Sequence, residues 1–354
     1  MKSTIKHSLS LLALSSLTAC GGGGSNTGSS TKPAVQPPIM VITPTVTPAD
    51  IQQAVPSLSY ADSSQEFAFV TAYNNFRSAM GLGLLTQSAP LDKAARNHLS
   101  YVMSNSSING GTVDMSSINP IYNIPNFHIE DPSKASFTGI RVADRVNFTG
   151  YVNTAAIEEG SYGAGAGATA AVKTLLATIY HRQGFMNQGI RDIGVAVGAD
   201  LAQTTIINLG FGVKSQSNSS DYVGVYPADK QTLVPLFASP EAPNPYTEIS
   251  DVLNDTHRRT TYPVSIAIKE GLSLAIESFT ITEAGHTQAI KARIFTSAND
   301  KAISSSNAFV VGYEPFKSNT TYMVSFKGTA NGTAISKNWT FTTAASCLNV
   351  FTCN

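Results

Sequence analysis

Charge is scarce in this chain of 354 residues: 13% are Asp, Glu, Lys or Arg, and the 23 basic side chains are matched by 23 acidic ones. That balance excludes the one-sided basic footprint of a nucleic-acid binder, so no nucleic-acid partner is expected. Beyond the first twenty residues no stretch approaches about 18 uninterrupted apolar residues, which excludes a membrane-spanning helix of ordinary length. Several enzyme signatures are missing too. There is no Gly-x-Ser-x-Gly elbow, no His-Glu-x-x-His helix, no phosphate-binding lysine loop and no Gly-x-Gly-x-x-Gly after a strand. His128-x-Glu130 has the spacing found in zinc deaminases, but the Pro-Cys-x-x-Cys partner that such a site needs is absent. Tryptophan occurs once, as Trp339, and cysteine three times.

What is present begins with an address. Lys2 and Lys6 precede an apolar run through Leu9, Leu11, Leu12, Leu14 and Leu17, which ends in Leu17-Thr18-Ala19-Cys20. Residues 1–19 are too short to span a bilayer and read as a cleaved lipoprotein leader, with Cys20 as the lipidated residue and the membrane as its partner. Each buried CH₂ of an acyl chain contributes roughly 0.8 kcal/mol, so two or three chains on Cys20 give a stable anchor. Removing Lys2 and Lys6 with the leader leaves 21 basic against 23 acidic side chains. Residue 21 is glycine rather than aspartate, so the expected address is the cell envelope, and the outer membrane in a diderm cell. Cys347 and Cys353 remain, and an oxidising compartment joins them. So small a loop stabilises by roughly 2 kcal/mol in the chain-entropy model, enough to staple an end but not to build a fold. A two-thiolate metal site is the rival reading, with no histidine nearby to complete it.

The Gly, Ser, Thr and Pro content of residues 20–58 reads as a flexible tether. Helical periodicity then appears in Phe67, Val70, Tyr73, Phe76 and Met80, stopping near Gly81 and Gly83. A second helix follows Ser88-Ala89-Pro90 with Leu91, Ala95, His98, Leu99 and Val102 on one stripe, and a third runs from about 166 to 180. Residues 104–160 read as loop-rich, and Ile193–Val197 with Thr205–Phe211 as a hairpin. Residues 59–235 therefore form an α+β domain of helices on a small sheet. Prolines 240, 243 and 245 mark a linker over 236–260. Beyond it, short alternating strands over 261–345 read as an all-β immunoglobulin-like sandwich, with Trp339 in its core and residues 346–354 as a tail closed by the disulfide.

Of six histidines, His7 leaves with the leader, His98 lies on an apolar helical stripe as a satisfied core residue, and His257 and His286 have no evident partners. His128-Ile129-Glu130 places an imidazole and a carboxylate on one face of an extended segment. Asp144-Arg145, Glu158-Glu159 and His181-Arg182 follow at the edges of expected elements. Two readings of this set stay open. Two imidazoles and a carboxylate, His128, His181 and Glu158, hold a zinc ion with one position left for water. Alternatively, the same groups form a hydrogen-bonded network in a cleft.

The segments Tyr73-Asn-Asn-Phe-Arg77, Leu91-Asp-Lys-Ala-Ala-Arg-Asn-His98, Phe137-Thr-Gly139, Asp144-Arg145, Gly150-Tyr151, Glu158, His181-Arg182 and Asp192-Ile-Gly-Val195, in that order, resemble the bacterial branch of the CAP superfamily. That superfamily groups cysteine-rich secretory proteins, antigen 5 and pathogenesis-related proteins. The resemblance covers residues 62–235 and implies an α-β-α layered sandwich with a cleft lined by two histidines and two acids. Position by position, the histidines fall on His128 and His181, and the first acid on Glu158. This sequence departs from the pattern around Glu158, which sits between Ile157 and Glu159 instead of Gly and Asn. The position of the second acid falls on Thr178, which leaves Glu130, Asp144 or Glu159 to replace it. The resemblance does not settle activity; the lipoprotein anchor, tether and sandwich all serve presentation, so the expected function is an envelope-displayed module whose cleft takes a lipid, glycan or protein ligand. The alternative is a zinc-dependent hydrolase in the same cleft, with Glu130 or Glu159 as general base on bound water.

Overall fold

The computed structural model describes residues 46–109, 112–114, 127–153, 155–161, 167–199, 204–241, 243–246, 260–350 and 352–354. The expected leader, Cys20 and the first part of the tether lie outside the described residues. The chain passes through α1 (Gln65–Ala79), β1 (Thr86–Gln87), α2 (Ala89–Asn105), β2 (Ser107–Asn109), β3 (Thr112–Asp114), α3 (Val142–Phe148), β4 (Ala156–Ser161), α4 (Ala168–Leu176) and α5 (Tyr180–Phe185). It continues through β5 (Asp192–Val197), β6 (Thr205–Gly210), β7 (Val223–Tyr226), β8 (Gln231–Val234), β9 (Val264–Ile268), β10 (Leu274–Glu283), β11 (Ala292–Phe295), β12 (Asn307–Gly312), β13 (Thr321–Ala330) and β14 (Thr333–Thr343).

Helix α1 starts where the Ser64 side chain accepts from Phe67 N at 3.1 Å and ends before Gly81, whose φ of +70° suits glycine. Its buried face is Phe69, Val70, Tyr73, Phe76 and Arg77, so the stripe takes in Phe69 rather than the expected Phe67. Helix α2 opens on Pro90, where a missing N–H costs nothing, and buries Leu91, Ala94, Ala95, His98, Tyr101 and Val102. The third expected helix is two: the chain turns at Ala177, and α5 begins only at Tyr180.

Between the helices lies a four-stranded sheet in the order β1-β5-β6-β4, so β4 is an edge strand. Alternation along β5 and β6 sorts the layers. Ile193, Val195, Ile207 and Leu209 join the apolar cluster of α1 and α4, whereas Ala196 and Ile206 meet Ala95, Tyr101 and Val102 of α2. The result is the expected α-β-α sandwich, with α2 and α3 on one face and α1, α4 and α5 on the other. Gly194 shows how close the α2 layer lies: a Cβ there would stand 2.1 Å from the Leu91 carbonyl carbon and 2.2 Å from Asp92 N.

The second half is an all-β sandwich of two four-stranded sheets, β10-β13-β14-β8 and β11-β12-β9-β7. In β13 the buried residues Tyr322, Val324 and Phe326 alternate with more exposed ones, as expected for a sheet wet on one side. Every residue of β9 and β12 is buried, as suits central strands covered on both faces. Trp339 is buried with its ring 6.1 Å from Phe279, as its place in the core demanded.

Two expected boundaries move. Strands β7 and β8, on the first-domain side of residue 235, belong to the sandwich: β7 pairs antiparallel with β9, and β8 pairs parallel with β14. Strand membership is set by partners distant in sequence, which a local pattern does not carry. Nor is the whole of 20–58 a free tether. Asp50 bridges to Ser217, and the Gln52 amide donates to Leu84 O at 2.8 Å and Arg191 O at 3.0 Å, so 46–58 is strapped to the α/β layer. Side-chain bonds to main chain leave no periodicity to read. Cys347 and Cys353 are joined as a disulfide.

Both layers share one apolar cluster, which runs from Phe69 and Tyr73 through Phe185, Val225 and Ile266 to Phe309 and Phe341. Of three fully buried arginines, two stitch it from within by binding carbonyls. Arg77 donates to Gly83 O, Phe185 O and Asn187 O; Arg182 donates to Leu176 O in the α/β half and to Pro263 O in the sandwich. The Arg182 guanidinium also stacks 5.1 Å from the Tyr226 ring centre and 4.5 Å from that of Tyr262. The third, Arg145, belongs to the cleft.

Candidate functional site

The two acids of the cleft are neighbours on edge strand β4, so the pleat sends their side chains to opposite faces of the sheet. Glu158 lies opposite Asn208 of β6 and faces α2 and α3. Glu159 lies opposite Ile207 and faces α5, where a Cβ on Gly184 would come within 2.1 Å of its Oε1. Gly184 thus leaves the room that the carboxyl of Glu159 fills.

Around Glu158 the charges are packed and paired. Arg145 of α3 donates through Nη2 to Glu158 Oε1 at 2.6 Å and to His128 O at 3.1 Å. His128 Nδ1 lies 3.2 Å from the same carboxylate oxygen, and His98 Nε2 3.5 Å from it. With its amide turned to donate, Asn208 reaches Glu158 Oε2 at 3.0 Å. Burial alone would raise the pKa of Glu158, but His98, Arg145 and His128 together outweigh it and hold the carboxyl at about 2. His98 is fully buried, with Nδ1 2.9 Å from Glu130 Oε1 and Nε2 2.8 Å from Phe127 O. The expectation of a satisfied core histidine fits these contacts.

The other face is organised around His181 and a residue from outside the α/β layer. Glu241, in the segment expected to be a linker, accepts from Ile179 N at 2.6 Å and Tyr180 N at 2.9 Å. Its Oε2 lies 3.4 Å from His181 Nδ1. Burial lowers the His181 pKa, but the bond to Glu241 and the charges of Glu159 and Glu241 raise it on balance. Glu159 is held up at about 7, chiefly by burial; His181 and His128 offset part of that, and the charges of Glu241 and Glu158 add to it. Thr178 Oγ1 donates to Leu175 O at 2.6 Å and sits 3.4 Å from His181 Nδ1, so this position holds the histidine with a hydroxyl while the acid comes from Glu241. The His128 side chain is 42% exposed and that of His181 25%, whereas Glu158 and Glu241 are 1% exposed.

Of the expected residues, the structure thus brings together His128 with Glu158, and sets Glu159 under the electrostatic influence of both histidines. Two expectations are corrected. Glu130 is not a base at the cleft: it is wholly buried and accepts from Thr138 N at 2.6 Å and Gly139 N at 3.2 Å while fixing His98. Asp144 is exposed and accepts from Arg141 N at 2.9 Å as the capping box of α3. Its neighbour Arg145 is the one that turns inward. Sequence reasoning missed Arg145, Asn208 and Glu241. The first stood beside a residue that was picked, but Glu241, between Pro240 and Pro243, carries no local signal of a role.

The zinc arrangement does not fit. Among the described residues no group of three or more His, Cys, Asp and Glu side chains is placed to hold a metal ion. The physical reason lies in Glu158, whose oxygen already takes Arg145; a zinc dication added about 4 Å from that guanidinium would meet a repulsion on the order of 8 kcal/mol at an effective dielectric constant of about 20.

Residues 70–207 match the Cysteine-rich secretory protein family, CAP. Over that segment the chain is similar to a CAP domain. The match runs from within α1 to within β6, takes in the cleft histidines and both β4 acids, and leaves Glu241 and the sandwich outside. No curated protein matches the chain. Among solved structures, an outer surface protein from Borrelia burgdorferi is similar at 13% identity, over 43% of this chain and 95% of that one, with a TM-score of 0.31.

Proposed function

We propose that this chain is a lipid-anchored CAP module of the bacterial cell envelope. Its candidate site, made of the pairs His128–Glu158 and His181–Glu241 on the two sides of edge strand β4 with Glu159 beside the second, binds a lipid, glycan or protein ligand without turning it over. The observation that carries this reading is the pairing of each cleft histidine with an almost wholly buried carboxylate, His128 with Glu158 and His181 with Glu241. Charges held that way are pre-organised for recognition, since a ligand meets them already oriented. The anchor rests on the Leu-Thr-Ala-Cys20 pattern and would place the module at the membrane surface.

The test has two parts. The full chain in its native host should fractionate with membranes, and Cys20→Ser should move it to the soluble exported fraction. Purified mature protein is then titrated with fatty acids, phosphatidylglycerol vesicles, oligosaccharides and immobilised matrix proteins. Binding of one class that His181→Ala and Glu159→Gln weaken supports the reading. Absence of binding across all four classes, together with hydrolysis of ester or peptide substrates, overturns it.

A second reading has one observation in its favour: Glu159, with its carboxyl at about 7, has an acidity matched to proton transfer near neutral pH. On that reading, hydrolysis would follow a pH profile that Glu159→Gln abolishes.

A further inference from the structure

At the junction of the CAP domain and the sandwich, two hollows of about 210 and 280 Å³ adjoin through shared walls at Gln188 and Glu270. We infer that this groove is a second binding site, which takes a short neutral oligosaccharide. The inference goes beyond the cleft reading and needs none of the cleft's charged groups.

The first support is the state of the amides that line the groove. Gln183 of α5 donates to Ala302 O at 2.7 Å and accepts from Ser304 N at 2.7 Å and Asn307 Nδ2 at 3.5 Å, so its remaining capacity is one N–H. Gln188 donates to Ile268 O at 2.7 Å and accepts from Glu270 N at 3.0 Å. Asn187 accepts from Gly189 N at 2.9 Å. A primary amide has two N–H donors and an oxygen with two lone pairs, so bonds of this kind fix the group yet leave hydrogen-bonding capacity unused. Each amide is therefore held rigid by the opposite wall or its own turn while keeping valence for a ligand. Rigid groups lose little freedom on binding.

Charge and shape narrow the ligand. Among the described residues, Lys269 and Glu270 are the only charged ones lining either hollow, and they are adjacent and of opposite sign. The groove thus offers no net field for a phosphate, a sulfated sugar or a cation. Phe211, half-buried, lines the second hollow, and Met186 the first. Fixed amides, serine hydroxyls and a flat apolar ring side by side match a ligand with hydroxyl edges and C–H faces. A neutral sugar chain has that chemistry.

The test uses the complete mature protein, titrated calorimetrically with maltotetraose, cellotetraose and N,N′,N″,N‴-tetraacetylchitotetraose. Ser215→Trp fills the second hollow from an exposed position, and Asn187→Ala removes one amide from the first. The expected result is binding of at least one tetrasaccharide that each variant weakens by about tenfold or more, and that His181→Ala leaves unchanged. Binding lost in His181→Ala but retained in Ser215→Trp would support the cleft as the glycan site and overturn this inference. No heat with any of the three sugars at millimolar concentration also overturns it, as does equal competition by N-acetyl-tetraalanine amide, which would make the groove a peptide site.

Discussion

Replacing Arg182 by alanine should destabilise both halves of the molecule at once. The side chain is fully buried and binds Leu176 O on the CAP side and Pro263 O on the sandwich side, with Tyr226 and Tyr262 against its guanidinium. Hydrogen bonds from a charged donor contribute about 1.5–3 kcal/mol each, and a desolvated cation over an aromatic face about 2 kcal/mol. Restoring the guanidinium's lost hydration offsets part of that sum. Two buried carbonyls left without donors, together with the cavity, give a net cost of about 3–5 kcal/mol. Arg182→Met keeps most of the packing volume but still strands both carbonyls, so its cost should be smaller, about 1–3 kcal/mol. Urea unfolding followed by Trp339 fluorescence reports the sandwich, and far-UV circular dichroism reports the helices, which all lie in the CAP half among the described residues. Because one apolar cluster runs through both halves, the two probes should give coincident transitions in the wild type. A cost below about 1 kcal/mol for Arg182→Ala, or wild-type transitions that separate, would refute the shared-core reasoning.

Stability should vary with pH in two opposed steps. Glu158, held at about 2 in the folded protein, contributes stability that is present above its ordinary value of 4.5 and lost as pH falls from there towards 2; Glu159, held at about 7, is destabilising when ionised, so stability falls as pH rises from 4.5 to 7. Glu159→Gln should flatten the second step and stabilise the protein by a few kcal/mol at pH 8 in denaturant titrations, whereas an unchanged slope would refute the assignment. Gly194→Ala should cost more than about 3 kcal/mol, because its methyl group meets the main chain of α2 rather than a movable side chain; a melting temperature within about 2–4 °C of wild type, about 1 kcal/mol in a chain this long, would show that α2 can withdraw. Cys353→Ser should lower stability by at most about 2 kcal/mol without altering the fold, as judged by circular dichroism before and after reduction.

The parts of the fold that could be read in advance are those whose pattern is local. Tyr73, Phe76 and Met80 repeat at helical spacing and Ile193–Val197 and Thr205–Phe211 read as strands, so α1, β5 and β6 fell close to their expected limits. Strand β4 could not be read this way. Ala-Ile-Glu-Glu-Gly-Ser has weak strand propensity and two adjacent acids, and becomes a strand only because β6 pairs with it. The same limit governed the cleft. His128, Glu158 and His181 stood out by residue type and by the order of motifs around them, but which face each occupied depended on the pleat, and the partner of His181 came from beyond the domain. Glu130 and Asp144 were plausible by proximity in sequence and were claimed by a loop and a helix end instead.

That Glu241 reaches the cleft from outside the matched family region bears on how such proteins are cut and recombined. A fragment ending at residue 235 would keep both histidines yet free His181 of its carboxylate, and its affinities would describe a different molecule. Exchange of the segment that follows the matched region would likewise replace the carboxylate beside His181. Selectivity could then be retuned by shuffling whole domains, with no substitution in the ancestral one.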